Sequence, residues 1–172
     1  MSQLQNLTAL NLSGNQISQL PAEIGQLQNL TVLDLSQNQL QSLPSTLWQL
    51  SQLRELYLNW NQLAGLPAEI TKLSNLTLLD LSKNQLTTIP TEIGQLKNLM
   101  ALNLSFNQLS KLPAEIGQLQ NLEQLSLSFN HINSLPEEIQ DLQHLTYLDL
   151  AHTNINTLPP ALETKADLEI RY

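Results

Sequence analysis

Residues 27–49 read LQNLTVLDLSQNQLQSLPSTLWQ, and residues 50–72 read LSQLRELYLNWNQLAGLPAEITK. Laid over one another without a gap, these two stretches of 23 residues agree at seven Leu or Ile positions, at an asparagine after the fourth of them and at a proline after the sixth. The same template fits seven times, starting at residues 4, 27, 50, 73, 96, 119 and 142, and all 49 of its apolar positions are Leu or Ile. Asn15, Asn38, Asn61, Asn84, Asn107 and Asn130 mark the period, with Thr153 in the seventh place. Pro21, Pro44, Pro67, Pro90, Pro113, Pro136 and Pro159 keep the same step.

A fixed period of this length means stacked units, each one supersecondary element that cannot bury its apolar face alone. Within a unit, Leu33 and Leu35 alternate with Val32, Asp34 and Ser36, the period of a strand with one buried face. Proline at the first helical position, with Glu23, Glu69, Glu92, Glu115 or Glu138 two residues later, suits the start of a short helical turn. Stability in such an array lives in the interfaces between repeats. An asparagine amide both donates and accepts, so the ladder at Asn15 to Asn130 satisfies loop backbone that turns inward. Thr153 has only a hydroxyl, and the seventh loop is expected to be bonded differently.

The unit LxxLxLxxNxLxxLPxxIxxLxx resembles the leucine-rich repeat family in its 23-residue class, found in bacterial and plant intracellular proteins. The resemblance covers residues 4 to about 162. It implies an α/β repeat fold: a right-handed solenoid with a parallel sheet on the concave side and short 3₁₀ or helical turns on the convex side. It also implies a role in protein recognition, such as a signalling scaffold.

Composition narrows the function. Fifteen acidic residues against seven basic ones give a formal net charge of −8, which opposes binding to a phosphate backbone, and the basic side chains are scattered over several rows. There is no cysteine, hence no disulfide framework and no thiol nucleophile. No signal peptide and no long apolar run is visible, so a cytoplasmic, non-membrane protein is expected. The serines fall mainly in repeat positions, no glycine-rich phosphate loop is present, and His131, His144 and His152 look like polar replacements within rows. His131, His152 and Asp149 match no familiar ligand spacing. The chain is therefore expected to be no enzyme and to hold no metal or cofactor.

What varies between repeats without harming the fold is where function must lie. The row between the paired leucines is Asn11, Asp34, Tyr57, Asp80, Asn103, Ser126 and Asp149; the row before it is Ala9, Val32, Glu55, Leu78, Ala101, Gln124 and Tyr147. The row just before the ladder asparagine is Gly14, Gln37, Trp60, Lys83, Phe106, Phe129 and His152. Parallel strands lie about 4.8 Å apart, so Phe106 and Phe129 should be neighbours, and Lys83 should stand between Trp60 and Phe106. Tyr57, Trp60, Phe106 and Phe129, with Leu78 and Tyr147 nearby, form an aromatic strip bordered by Asp34, Asp80 and Asp149, the composition of a protein-binding hot spot. An aromatic at the strand's end also has a purely structural use, covering the next turn. Trp48 replaces a common glycine at the convex turn and reads as structural.

The ends depart from the pattern. Only Met1 to Gln3 precede the first consensus leucine, Leu4, so Leu4, Leu7 and Leu12 are expected to leave an uncapped apolar edge. Lys165 takes a core leucine position, and Leu168, Ile170 and Tyr172 alternate as an eighth strand shortened by one residue, so 163–172 is a cap or a truncated repeat. The expectation is one domain over 1–172 that binds a protein through its concave face, where the acids favour a basic partner. Two alternatives follow from other residues: a structural unit stacking through its uncapped ends, and a glycan binder using Trp60 and Tyr57.

Overall fold

The computed structural model describes residues 6–172, so the reading of Leu4 and its lead-in lies outside the described residues. Among the described residues, eight three-residue strands form one open parallel sheet in chain order. They are β1 (Ala9–Asn11), β2 (Val32–Asp34), β3 (Glu55–Tyr57), β4 (Leu78–Asp80), β5 (Ala101–Asn103), β6 (Gln124–Ser126), β7 (Tyr147–Asp149) and β8 (Glu169–Arg171). Each strand places one leucine or isoleucine at its centre, and neighbours pair in register: Leu33 with Leu56, Leu56 with Leu79, Leu79 with Leu102. From β2 to β7 these central leucines are buried, and with the leucines that follow them, such as Leu35 and Leu58, they fill one continuous core, against which Leu10 and Ile170 pack partly buried at the two ends.

Opposite the sheet lie six 3₁₀ helices, Ala22–Gln26, Ser45–Gln49, Ala68–Lys72, Thr91–Gln95, Ala114–Gln118 and Glu137–Asp141, followed by a short α-helix, α1 (Pro160–Glu163). Their prolines sit one residue earlier than the sequence suggested. Pro21, Pro44, Pro67, Pro90, Pro113 and Pro136 are the caps, extended in ψ, and their carbonyls accept the first 3₁₀ hydrogen bond from residue i+3. Pro160, in contrast, does stand at the helical start.

Glycine sets how closely these helices approach. A Cβ on Gly25 would meet the Thr46 carbonyl at 2.6 Å, and one on Gly94 or Gly117 would collide with the backbone of Glu115 or Glu138. Trp48 occupies the same row in the second repeat and is buried, which bears out its structural reading.

The asparagine ladder works as expected, with a detail the sequence did not give: each amide clamps two repeats. Asn84 Nδ2 donates to Leu81 O (3.1 Å) and Ser82 O (3.3 Å) in its own repeat and to Leu58 O (2.9 Å) in the preceding one, while its Oδ1 accepts the Leu63 N–H at 2.9 Å. Asn38, Asn61, Asn107 and Asn130 repeat the pattern. Asn15 donates only to Leu12 O and Ser13 O of its own repeat. At Thr153 the hydroxyl reaches Leu150 O at 2.7 Å and, at the limit of bonding, the Ile155 N–H at 3.5 Å, both within one repeat.

A second ladder at the entry to the strands was not foreseen. Asn75, Asn98 and Asn121 donate to the carbonyls of Ser51, Ser74 and Lys97 one repeat back, and His144 takes the next place in that row. The C-terminal end follows the expectation. Ile170 pairs with Leu148, a step of 22 rather than 23, and Lys165 donates to Leu142 O (2.6 Å) and Gln143 O (3.0 Å). Burial draws the Lys165 pKa below its usual value, partly offset by Asp167.

Candidate functional site

The site begins with a turn. At the end of β1, β2, β4, β5 and β7, Asn11, Asp34, Asp80, Asn103 and Asp149 each accept with Oδ1 the backbone N–H two residues on, at 2.8 to 3.1 Å. This Asx turn ends these five strands, while β3 and β6 end in Tyr57 and Ser126 instead. The next residue is left-handed in every repeat: Gly14 with φ 68°, then Gln37, Trp60, Lys83, Phe106, Phe129 and His152 with φ 54–56°. Left-handed backbone costs a non-glycine residue about 1–2 kcal/mol. Here it is imposed by the ladder, since Trp60, Lys83, Phe106 and Phe129 donate their N–H to Ser82, Ser105, Ser128 and Ala151 of the following repeat at 2.8 to 3.0 Å.

The geometry throws these side chains outward along the rim of the sheet, where the five from Trp60 to His152 stack on one another. Phe106 and Phe129 lie 4.1 Å apart at 11°, and Phe129 and His152 lie 4.2 Å apart at 27°. Lys83 Nζ sits 3.6 Å from the Trp60 ring centroid and 4.8 Å from that of Phe106. A continuous ridge runs from Trp60 to His152. It is solvent-facing: Trp60 is 52% exposed, and Phe106 and Phe129 are each 41% exposed.

Below the ridge lies the floor of the sheet. Tyr57 on β3 is flanked in register by Asp34 of β2 and Asp80 of β4, and its hydroxyl donates to Glu55 Oε2 at 2.9 Å. Burial first, then the bond to Glu55 and the charges of Glu55, Asp34 and Asp80, push the phenol above its usual pKa. Leu78 and Tyr147 are half-buried on the same floor.

Asp149 departs from the expected strip. It is buried, its Oδ1 holds the Ala151 N–H, and β8 pairs beside it, so it does not line the surface as Asp34 and Asp80 do. Three residues of the site were absent from the expected strip: Glu55, which meets the Tyr57 hydroxyl two residues along the same strand, and Lys83 and His152, whose row was legible but whose contacts with the rings of Trp60, Phe106 and Phe129 were not. Among the described residues no three of His, Asp and Glu are grouped to hold a metal, and no helix is long and apolar enough to cross a membrane.

Three family models fit the chain: a leucine-rich repeat region over residues 47–130, a leucine-rich repeat over 3–63, and a pair of leucine-rich repeats over 120–164. A leucine-rich repeat protein of Leptospira interrogans is similar at 45% identity with a TM-score of 0.94, covering 98% of this chain and 44% of that one. A TDR receptor is similar at 30% identity and TM-score 0.86, over 98% of this chain and 31% of its own. An internalin from Listeria monocytogenes is similar at 25% identity and TM-score 0.79, over 97% of this chain and 48% of its own. The chain spans less than half the length of each. No curated protein matches it in sequence.

Proposed function

We infer the function from one premise, that the chain belongs to the leucine-rich repeat family: it is a non-catalytic, cytoplasmic module that recognises a protein through the concave sheet and its aromatic ridge. The fold is a common protein-interaction scaffold, and two of the similar structures are a receptor and an internalin. The observation that carries the reading is the ridge. Trp60, Phe106 and Phe129 stand at backbone positions that favour glycine, yet hold large apolar side chains in solvent. Fold stability alone has no need of such residues. Aromatic anchors are the side chains that dominate protein interfaces. Any signalling chemistry belongs to a partner or to another domain.

The test compares capture from a host-cell lysate by wild type and by a variant with Tyr57, Trp60, Phe106 and Phe129 all changed to alanine, its fold checked by circular dichroism. A protein captured only by wild type supports the reading. Equal capture by both moves the recognition face elsewhere. Capture by neither, with a mass that rises with concentration, favours stacking through the ends, and a glycan that shifts Trp60 fluorescence favours the sugar reading.

A further inference from the structure

The ridge ends at Trp60 with one indole face open. Lys83 covers the face turned to the fourth repeat. On the other side the row continues with Gln37, and a recess of about 330 Å³ is bounded by Trp60, Gln37 and Asn38. An indole face carries negative quadrupole charge and attracts a cation placed within about 6 Å of its centre. The floor nearby is acidic. Asp34 and Asp80 give one carboxylate oxygen each to a backbone N–H, and Glu55 gives one to Tyr57. No Lys or Arg pairs with any of the three among the described residues.

We propose that this recess is the anchor for an arginine in a basic segment of the partner, its guanidinium stacked on the open face of Trp60 and drawn there by Asp34, Glu55 and Asp80. The assignment rests on the recognition reading above and adds the chemistry of the partner. Arginine suits the site better than lysine, because its planar, weakly hydrated group stacks on an aromatic face. Asp34 and Asp80 stand in register two strands apart, about 10 Å, on either side of Tyr57, and Glu55 lies two residues before Tyr57 on the strand between them, so further basic residues of the segment find acids along the floor. Lys83 opposes the ligand: across the ring its ammonium and the guanidinium would be about 7 Å apart. Removing that charge therefore strengthens a cationic ligand and weakens an anionic one.

The probe is a capped nonapeptide with three arginines at alternate positions, and its counterpart with three glutamates, titrated by calorimetry and by Trp60 fluorescence at physiological salt. Gln37 already occupies the same left-handed position as Trp60 and Lys83, so Trp60→Gln and Lys83→Gln keep the backbone. Wild type is expected to bind the arginine peptide and not the glutamate one. Trp60→Gln and the triple variant Asp34→Asn, Glu55→Gln, Asp80→Asn should each weaken it by about tenfold or more, and Lys83→Gln should tighten it. A charge-matched control, Glu23→Gln, Glu69→Gln, Glu138→Gln on the exposed helical side, should leave affinity unchanged. The proposal fails if the arginine peptide does not bind, if the control weakens it as much as the floor variant, if Trp60→Gln has no effect, or if Lys83→Gln weakens it. Should it fail while the lysate comparison still yields a protein lost from the quadruple variant, recognition by the ridge stands and only the arginine assignment falls.

Discussion

Asn84→Ala isolates what the ladder contributes in the middle of the array. Of the four hydrogen bonds it removes, three leave an acceptor that still has a donor. Leu58 O keeps Asn61 Nδ2 at 3.1 Å, Leu81 O keeps Asn107 Nδ2 at 3.0 Å, and Ser82 O keeps the Trp60 N–H at 3.0 Å. Only the Leu63 N–H loses its sole partner. A buried donor left unpaired costs about 1–3 kcal/mol, and the small void adds under about 1 kcal/mol, so a loss of about 2–3 kcal/mol is expected. With an m value of about 2 kcal/mol/M in urea, the midpoint followed by circular dichroism falls by about 1–1.5 M. Asn84→Asp separates the donor side from the acceptor side. It keeps an oxygen for Leu63 but turns a carboxylate on the Leu58 carbonyl, so at neutral pH it costs more than alanine, and the difference narrows as the acid is protonated. Asn15→Ala, exposed and bonded only within its own repeat, should change stability by less than about 0.5 kcal/mol. Equal midpoints for Asn15→Ala and Asn84→Ala would refute the clamp between repeats.

Gly117→Ala should destabilise by about 1–3 kcal/mol by forcing apart the helices at Ala114–Gln118 and Glu137–Asp141, whereas Gly65→Ala, with open space around it, should be close to neutral; a denaturant midpoint for each decides it. Phe106→Gly should stay within about 1 kcal/mol of wild type, since relief of the left-handed backbone offsets the lost stack, while Phe106→Val should cost more despite keeping more apolar surface; the reverse order in urea would overturn the reading of the turn. Tyr57 should form phenolate at a higher pH than a free tyrosine, seen as the ultraviolet titration missing from Tyr57→Phe, and the Asp34→Asn, Glu55→Gln, Asp80→Asn variant should lower it. Because the folded pKa is raised, this group's contribution to stability is full below pH 10 and is lost as the pH climbs through the folded value, so wild type should lose more stability in that range than Tyr57→Phe.

Much of the candidate site was legible as rows, because a solenoid turns sequence spacing into neighbourhood. The adjacency of Phe106 to Phe129 and the place of Lys83 between Trp60 and Phe106 follow from the period and the strand spacing alone. Direction did not follow from it. The row's shared left-handed φ goes with the cross-repeat hydrogen bonds around it, present also at Trp60 and Phe129 where no Asx turn precedes them, and a period does not encode a dihedral. Asp149 shows the same gap from the other side. It shares a row with Asp34 and Asp80, but the shortened last repeat brings β8 against it and buries it.

The sequence by itself determined the number of repeats, the alternation that makes each strand, the core leucines and the residues of the ladder, since each of these is set by local spacing repeated without a gap. It also determined the register of the last strand through its one-residue deletion. Only the tertiary structure decided which rows face solvent, that the ladder amides from Asn38 to Asn130 each clamp two repeats, that the prolines cap rather than begin the helices, and that five side chains stack into a ridge with an open end at Trp60. The physical reason is that these features depend on where one repeat's backbone carbonyls and N–H groups meet those of the next, a geometry fixed by stacking and absent from any single repeat.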